Sequence, residues 1–280
     1  MLFVLPFDHR ATFAKELLGF HYPRLSPAQK KTVSDYKHIV WEGFLKARTT
    51  LSSSRTRGSS KLAILVDEEF GATILKDATR KKIPFALSVE KSGQQLFDFE
   101  YGKTFGAHIK KWKPAYAKAL VRYNVQDTQG NRTQNTRLKI LSGFCKKSGV
   151  PFMIEPLMTG TGSRFEQLAQ TVKEMTAAGV SPALWKVEAM DTAAQWKQLR
   201  ALTAAPIIFL GRGDTKAHVE KWLKTAAKSG TVDGFAIGRT IFLNALMDFR
   251  DKKLTRVQTV ETIAKNLTYF INLWKQYART

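Results

Sequence analysis

The chain has 280 residues, 44% of them hydrophobic, and its 45 Lys and Arg outnumber its 23 Asp and Glu, giving a net charge of +22. This length allows the core of one large domain or two ordinary ones, and the charge favours anionic partners. The single cysteine, Cys145, excludes an intramolecular disulfide framework, and no run approaches the roughly 20 apolar residues of a membrane span. Because the opening Met1–Phe7 is too short for a signal peptide and lacks a basic start, we expect a cytoplasmic protein with no membrane partner.

Eight short apolar runs follow one another along the chain, and a helical pattern comes after almost every one. In a strand, side chains alternate between two faces, so Lys118, Leu120 and Arg122 share a face of the fourth run. The same rule groups Lys186 with Glu188 in the sixth run. The predicted strands are Leu2–Leu5, Leu62–Val66, Phe85–Val89, Tyr116–Tyr123, Pro151–Leu157, Leu184–Asp191, Pro206–Leu210 and Val232–Ile237.

Helix signals lie between these strands. Ser26-Pro27-Ala28-Gln29 is a capping box with proline at the first helical position, and Val33, Tyr36, Val40 and Phe44 then follow at helical spacing. The serine- and threonine-rich segment 49–60 is predicted to be a loop. The other predicted helical features are a stripe of Ile74, Leu75 and Ala78, a helix over Thr133–Lys147, a capping box at Ser163 with a helix stop at Gly179, a cap at Asp191, and helices over Ile241–Phe249 and Thr255–Tyr277.

This repeated alternation of strand and helix is typical of a (β/α)8 TIM barrel, here with an extra C-terminal helix. A doubly wound sheet is the main alternative, but it favours a glycine-rich first turn, whereas the first strand ends in Pro6-Phe7-Asp8-His9. No domain boundary is apparent. We therefore predict one barrel domain over residues 1–280.

Ionisable residues collect at the predicted C-terminal ends of the strands, where barrel enzymes hold their active sites. Three of them, Lys118, Glu155 and Lys186, lie within strands four, five and six. Adjacent parallel strands are ~4.8 Å apart, so these three side chains are expected to meet. The remaining members of the set are Asp8, His9, Arg10, Asp67, Glu68, Glu69, Glu90, Lys91, Arg122, Glu188, Arg212 and Arg239.

Two lysines and a carboxylate suggest amine catalysis. Partial burial and a second ammonium group would favour the neutral, nucleophilic form of Lys186. An amine attacks a ketone to give a Schiff base, and its iminium is an electron sink for making or breaking a carbon–carbon bond. Glu155 is placed to transfer protons at the neighbouring hydroxyl. Taken alone, however, the Lys186–Glu188 pair also fits a solvated edge strand.

The turns after strands seven and eight are a common phosphate site in barrels. Gly211-Arg212-Gly213 and Gly238-Arg239 suit this use, because glycines let backbone N–H groups approach an anion and arginine binds phosphate through two hydrogen bonds. We therefore expect a phosphorylated small molecule as the partner.

Two other functions are compatible with these residues. The rim carboxylates Asp67, Glu68, Glu90 and Glu188 could hold Mg²⁺ in a lyase, although no pair of histidines has metal-ligand spacing. Alternatively, a non-catalytic barrel could bind nucleic acid through its basic surface, but the aromatic residues follow core periodicities, so nucleic acid is not the expected partner. We expect no metal and no cofactor. The sequence leaves a homo-oligomer open.

Several motifs, in order along nearly the whole chain, resemble the class I aldolase-like barrels related to tagatose-bisphosphate aldolase. The similarity is greatest to the aldolase-like domain fused behind the sugar kinase (5-dehydro-2-deoxygluconokinase) of myo-inositol catabolism. The motifs are Leu-Pro-Phe-Asp-His-Arg at 5–10, Val-Asp-Glu-Glu-Phe-Gly at 66–71, Val-Glu-Lys-Ser-Gly at 89–93, Leu-Val-Arg-Tyr-Asn at 120–124, Trp-Lys-Val-Glu at 185–188, Leu-Gly-Arg-Gly at 210–213 and Gly-Phe-Ala-Ile-Gly-Arg-Thr at 234–240.

The resemblance implies a role for each central residue. Lys186 would form the Schiff base, with Lys118 as its neighbour, Glu155 as the acid–base group and Arg239 at the phosphate. It implies cleavage of a phosphorylated keto sugar or keto sugar acid to dihydroxyacetone phosphate and an aldehyde. For the inositol-type domain the expected substrate is 6-phospho-5-dehydro-2-deoxygluconate, which would release malonate semialdehyde.

Overall fold

A computed structural model describes residues 1–53 and 61–278. In this part of the chain, eight strands form a closed barrel in the order β1 to β8, and the strand pairs with a defined register are parallel. The predicted α/β barrel is therefore confirmed. The strands are β1 (Leu2–Pro6), β2 (Lys61–Val66), β3 (Phe85–Ser88), β4 (Tyr116–Tyr123), β5 (Phe152–Met158), β6 (Leu184–Glu188), β7 (Ile207–Leu210) and β8 (Gly234–Ala236).

Helices alternate with these strands. One further helix comes after the helix that follows β8, as predicted. Short π-helical and 3₁₀ segments occur at Phe13–Leu17 and Gly102–Thr104. The sequence pattern did not predict α3, a short helix before β4. The α-helices of the described residues are α1 (Pro27–Ser53), α2 (Glu68–Arg80), α3 (Phe105–Trp112), α4 (Thr128–Ser148), α5 (Arg164–Ala177), α6 (Ala193–Ala201), α7 (Lys216–Ser229), α8 (Arg239–Arg250) and α9 (Arg256–Tyr277).

The chain divides into two compact units, of which the first comprises residues 1–85, 211–224 and 236–280. In this unit α9 packs against α1. Gly43 allows the close approach, because a Cβ atom there would collide with the side chain of Ile263. The Trp274 ring of α9 meets the Phe3 ring of β1 edge-on, with centroids 6.2 Å apart. The extra C-terminal helix is thus anchored by buried apolar contacts.

The second unit comprises residues 86–210 and 225–235 and contains the strands that carry the two predicted lysines. In register, Ser88 of β3 lies beside Lys118 of β4, and Leu120 of β4 lies beside Glu155 of β5. Tyr123 is on the opposite face of β4, where its hydroxyl donates to Glu174 of α5 at 2.7 Å. Because alternate residues face opposite sides, Lys118, Leu120 and Arg122 share one face, as predicted, and it is the face opposite Tyr123.

The predicted loop over residues 49–60 is wrong for its first part, because α1 continues to Ser53. Serine and threonine hydroxyls often compete with helical hydrogen bonding, but here they join it. The Thr49 hydroxyl donates to the Leu45 carbonyl at 3.2 Å, and the Thr50 hydroxyl donates to the Lys46 carbonyl at 3.1 Å. Residues 54–60 of the predicted loop lie outside the described part of the chain.

Two predicted helix starts differ from the structure, and a third begins where predicted but without its capping bond. Thr192, not Asp191, caps α6, since Thr192 and Gln195 form a reciprocal capping box. Ser163 occupies the N-cap of α5, but its side chain makes no capping hydrogen bond. Helix α4 begins at Thr128, before the predicted start, because the Asp127 carboxylate accepts from Gly130 N–H at 2.9 Å. The Ser26 capping box of α1 is confirmed by reciprocal bonds with Gln29.

Cys145 lies on the buried stripe of α4 with Leu138 and Leu141. Burial raises the pKa of its thiol to about 12, so almost none is thiolate at neutral pH. We expect the native protein to react very slowly with a disulfide reagent at pH 8, and the denatured protein to titrate one thiol per chain. The rate at which the disulfide reagent releases its own thiolate measures this reactivity. Fast stoichiometric reaction of native protein would contradict the buried position.

Within the described residues, no helix combines the length and apolar character that crossing a membrane requires.

Candidate active site

Four side chains of the second unit form a continuous chain of ion pairs. Lys186 Nζ of β6 lies 2.7 Å from one carboxylate oxygen of Glu155, and Lys118 Nζ lies 2.8 Å from the other. Lys118 also donates to Glu90 at 2.7 Å. Glu155 thus bridges the two lysines. The structure brings together the three residues that the sequence analysis placed on strands four, five and six.

This cluster is almost fully removed from solvent. Lys118 is 1% exposed, Lys186 3% and Glu155 6%. Burying an unpaired charge in a protein interior is very costly, so groups of this kind are normally paired. The charges of the two lysines and the two carboxylates cancel when all four groups are ionised. Proton transfer between Lys186 and Glu155 therefore needs no solvent and no change in the net charge of the cluster.

Two further predicted residues of this unit contact backbone groups. Glu188 is buried, accepts from the Met158 N–H at 2.8 Å, and lies 3.8 Å from the Arg164 guanidinium. Arg122 is exposed at the end of β4 and donates to the Gln94 carbonyl at 3.1 Å. The Glu188 contact holds the last residue of β5, and the Arg122 contact holds the segment after β3. A substrate-binding role for either residue stays a prediction.

Ser88 is a residue of this region that the sequence analysis did not identify. It is 6% exposed, it lies beside Lys118 in register, and its hydroxyl has no hydrogen-bond partner among the described residues. A buried hydroxyl without a partner is costly, which favours a ligand or water there. The sequence signal was present, since Ser88 is a polar residue in the apolar run Phe85–Val89, on the same face as Glu90.

The predicted phosphate turns belong to the first unit. Arg212 and Gly213 have positive φ angles of 52° and 75°, which shape the turn after β7. The Arg239 guanidinium, at the start of α8, donates to the Arg212 carbonyl and pairs with Glu16 at 3.3 Å. Gly211 and Gly238 are both buried. Arg239 therefore links the two glycine turns, and in this structure its donors face protein acceptors. Its role at a phosphate stays a prediction.

Asp8 and Asp67, also of the first unit, surround a lysine that the sequence analysis missed. Lys37 of α1 is completely buried and paired with Asp67, which caps α2 by accepting from Phe70 N–H at 2.8 Å. Burial lowers the pKa of Lys37, and the Asp67 and Asp8 carboxylates oppose part of that effect. The signal for Lys37 was its place on the buried stripe between Val33 and Val40. Glu68 is the first residue of α2 and is half-buried.

Within residues 1–53 and 61–278, no group of three or more His, Cys, Asp or Glu side chains is arranged to hold a metal ion. Three of the four carboxylates that the magnesium alternative named have cationic neighbours. Glu90 is paired with Lys118, Asp67 with Lys37, and Glu188 lies near Arg164. This arrangement gives the magnesium alternative no support.

The fold and the paired lysines define the class of protein as an eight-stranded parallel α/β barrel with a buried lysine–carboxylate cluster. The profile of a family described as an uncharacterized protein conserved in bacteria (DUF2090) matches residues 1–278, so the chain belongs to that family. No curated protein matches the chain significantly. A crystal structure of Cgl0159 from Corynebacterium glutamicum (Brevibacterium flavum) is similar, with a TM-score of 0.60 and 18% identity over 96% of this chain and 85% of that one. At this identity, the similarity extends to the fold alone.

Proposed function

We propose that this protein is a class I aldolase that cleaves a phosphorylated keto sugar or keto sugar acid through a Schiff base on Lys186. The observation that carries the proposal is the Lys186–Glu155–Lys118 bridge, with distances of 2.7 and 2.8 Å. A nucleophilic lysine needs a group that can take its proton, and Glu155 is in direct contact with it. The sequence resemblance to class I aldolase-like barrels supports the same reaction.

The reaction follows from these contacts. The neutral amine of Lys186 adds to the substrate ketone, and the carbonyl oxygen leaves as water, which gives an iminium. A base takes the proton of the hydroxyl next to the breaking bond, the bond's electron pair moves to the iminium to form an enamine, and the aldehyde departs. Protonation of the enamine and addition of water then release dihydroxyacetone phosphate and restore the amine. Glu155 serves the proton transfers, while Lys118 and Glu90 hold it in position.

Borohydride reduction tests the proposal directly. The protein is incubated with dihydroxyacetone phosphate or with ketose phosphates, including 6-phospho-5-dehydro-2-deoxygluconate, then reduced and digested for mass spectrometry. We expect a stable secondary amine on the peptide that contains Lys186, and undiminished activity in a chelator. A label on Lys118 would exchange the roles of the two lysines. The absence of any label, together with no aldehyde release, would refute the Schiff-base mechanism.

The substrate phosphate is proposed to bind at the glycine turns, with Arg239 as its main ligand. We expect Arg239→Ala to lower kcat/KM for the phosphorylated substrate roughly 30- to 700-fold, because a desolvated charge-assisted contact is worth on the order of 2–4 kcal/mol. Loss of the partly exposed ion pair between Arg239 and Glu16 should lower the free energy of unfolding by at most about 1 kcal/mol. Steady-state kinetics on a phosphorylated ketose and its dephosphorylated form provide the measurement.

Arg250→Ala is the matched control for this prediction. Arg250 lies at the other end of α8 and likewise donates to a backbone carbonyl, that of Leu17 at 2.9 Å. Its loss should affect both substrates equally and slightly. If Arg239→Ala also lowers activity on both substrates by the same factor, the phosphate assignment is wrong.

A further inference from the structure

A groove of about 560 Å³ lies between α4 and α5, at the end of β4. Tyr123 lines it from the strand, on the opposite face of β4 from Lys118 and Arg122. The groove is therefore distinct from the lysine–carboxylate cluster. We propose that it binds a small phosphorylated polyol, that is, a molecule with several hydroxyl groups and one phosphate. This inference does not depend on the proposed aldolase reaction.

The first observation concerns two asparagines in the groove wall. The Asn131 amide N–H₂ donates to the Asn124 carbonyl at 2.7 Å, and that of Asn135 donates to the Tyr123 hydroxyl at 3.1 Å. The amide oxygens of Asn131 and Asn135 are buried and have no hydrogen-bond partner in the described part of the chain. Buried acceptors are nearly always satisfied in native proteins. A ligand that occupies the groove and brings hydroxyl donors would satisfy them.

The other polar groups around these amides also present acceptors rather than donors. The Tyr123 hydroxyl uses its proton on Glu174, at 2.7 Å, and accepts from Asn135. The second Glu174 oxygen already accepts from Gln170 at 2.9 Å. A ligand in contact with this network is therefore expected to donate hydrogen bonds. Sugar and polyol hydroxyls supply several such donors, whereas an aliphatic molecule has none and inorganic phosphate acts mainly as an anionic acceptor.

The second observation is the pattern of α4 itself. Barrel helices usually present apolar residues to the neighbouring helix and strand. On α4 a polar stripe at helical spacing lines the groove, formed by Thr128, Asn131, Arg132, Asn135, Thr136 and Lys139. Arg132 and Lys139 are exposed, and neither has an ion pair within the described residues. These two cations at the rim suit a phosphate, and the small residues Ala177 and Ala178, at the C-terminal end of α5, leave space between the walls.

The test uses sorbitol 6-phosphate as the probe, because it has no carbonyl group and cannot form a Schiff base. Isothermal titration of the full chain compares it with sorbitol, which has the hydroxyls but no phosphate, and with inorganic phosphate, which has the charge but no polyol chain. We expect sorbitol 6-phosphate to bind more tightly than either. Arg132→Ala and Lys139→Ala should each weaken it by about 3- to 10-fold, the range expected for one solvent-accessible charged contact.

Two controls assign this binding to the groove. Lys147→Ala removes an exposed cation from the last turn of α4, away from the groove, and should leave the affinity unchanged. Arg239→Ala, in the proposed catalytic machinery, should leave the groove-dependent binding intact. Asn135→Leu should abolish the preference for sorbitol 6-phosphate over phosphate, and circular dichroism checks that this variant is folded. If Asn135→Leu does not fold, the Arg132→Ala and Lys139→Ala variants, which change exposed residues, still test the proposal.

Three results would overturn the proposal. One is equal affinity for sorbitol 6-phosphate and inorganic phosphate, which would mean that the basic chain attracts anions without regard to the polyol. Another is a crystal structure with the probe at high concentration in which waters alone occupy the two asparagine oxygens. The third is a dimer in solution that dissociates in the Arg132 or Lys139 variants, since the groove would then be a protein interface.

Discussion

Lys186→Arg is expected to abolish both borohydride trapping and aldol cleavage, with a loss of turnover on the order of 10⁴-fold or more, as for other covalent nucleophiles. Arginine keeps a positive charge near Glu155, so the buried ion pair is largely retained. A guanidinium stays protonated, however, and cannot attack a ketone. Lys186→Ala should be equally inactive but less stable, because it leaves Glu155 without one of its two lysines.

Lys118→Met is the matched control, because it removes the other lysine that contacts the same carboxylate. This variant should still be trapped on Lys186 while losing most of its turnover, since Glu155 is no longer held in position. Intact-protein mass spectrometry after reduction measures trapping, and release of the aldehyde measures turnover. If Lys186→Arg retains activity per folded molecule, Lys186 has a structural role only and the proposed mechanism fails.

Lys37→Met is expected to produce the largest loss of stability among single substitutions at the charged sites. It leaves the Asp67 carboxylate, which is 1% exposed, without its ion-pair partner. Removing one member of a buried pair costs about 3–5 kcal/mol, because an uncompensated charge stays in the interior. The methionine side chain itself should fit well, since the Lys37 ammonium lies 5.6 Å from the Phe13 ring centre and 5.4 Å from that of Phe70. Urea denaturation measures the change.

The double variant Lys37→Met/Asp67→Asn separates charge from packing. Asparagine removes the charge and can still accept from the Phe70 N–H as the cap of α2. We therefore expect the double variant to recover most of the stability lost in Lys37→Met, which would appear as a large coupling energy in the cycle. Additive losses would mean that the ion pair is unimportant and that the Lys37 side chain stabilises the fold through its packing.

Local patterns in the sequence were sufficient to predict most of the strands. The bounds of β4 were predicted without error, because a strand buried on its helix-facing side and charged on the other has a strong alternation. Helix ends were less predictable. Asp191 and Thr192 are both good capping residues, and the choice of Thr192 depends on the reciprocal bond that Gln195 makes.

The loop prediction over residues 49–60 shows a second limit. Serine and threonine favour loops when their hydroxyls compete for backbone groups, but inside α1 the same hydroxyls bond to preceding carbonyls. Composition alone does not distinguish these two uses. The helix continues because the rest of α1 is anchored by its buried stripe, which includes Val33, Val40 and Phe44.

The barrel class, and the presence of Lys118, Glu155 and Lys186 within three consecutive strands, could be predicted from the sequence, because strand periodicity sets the face of each side chain. How these groups pair depends on the tertiary fold. The Glu155 carboxylate could have contacted either lysine or neither. In the parallel register, one of its oxygens contacts Lys186 and the other contacts Lys118. The positions of Ser88 and Lys37 were likewise decided by packing, since the burial of a polar side chain depends on elements distant in the chain, which no local pattern contains.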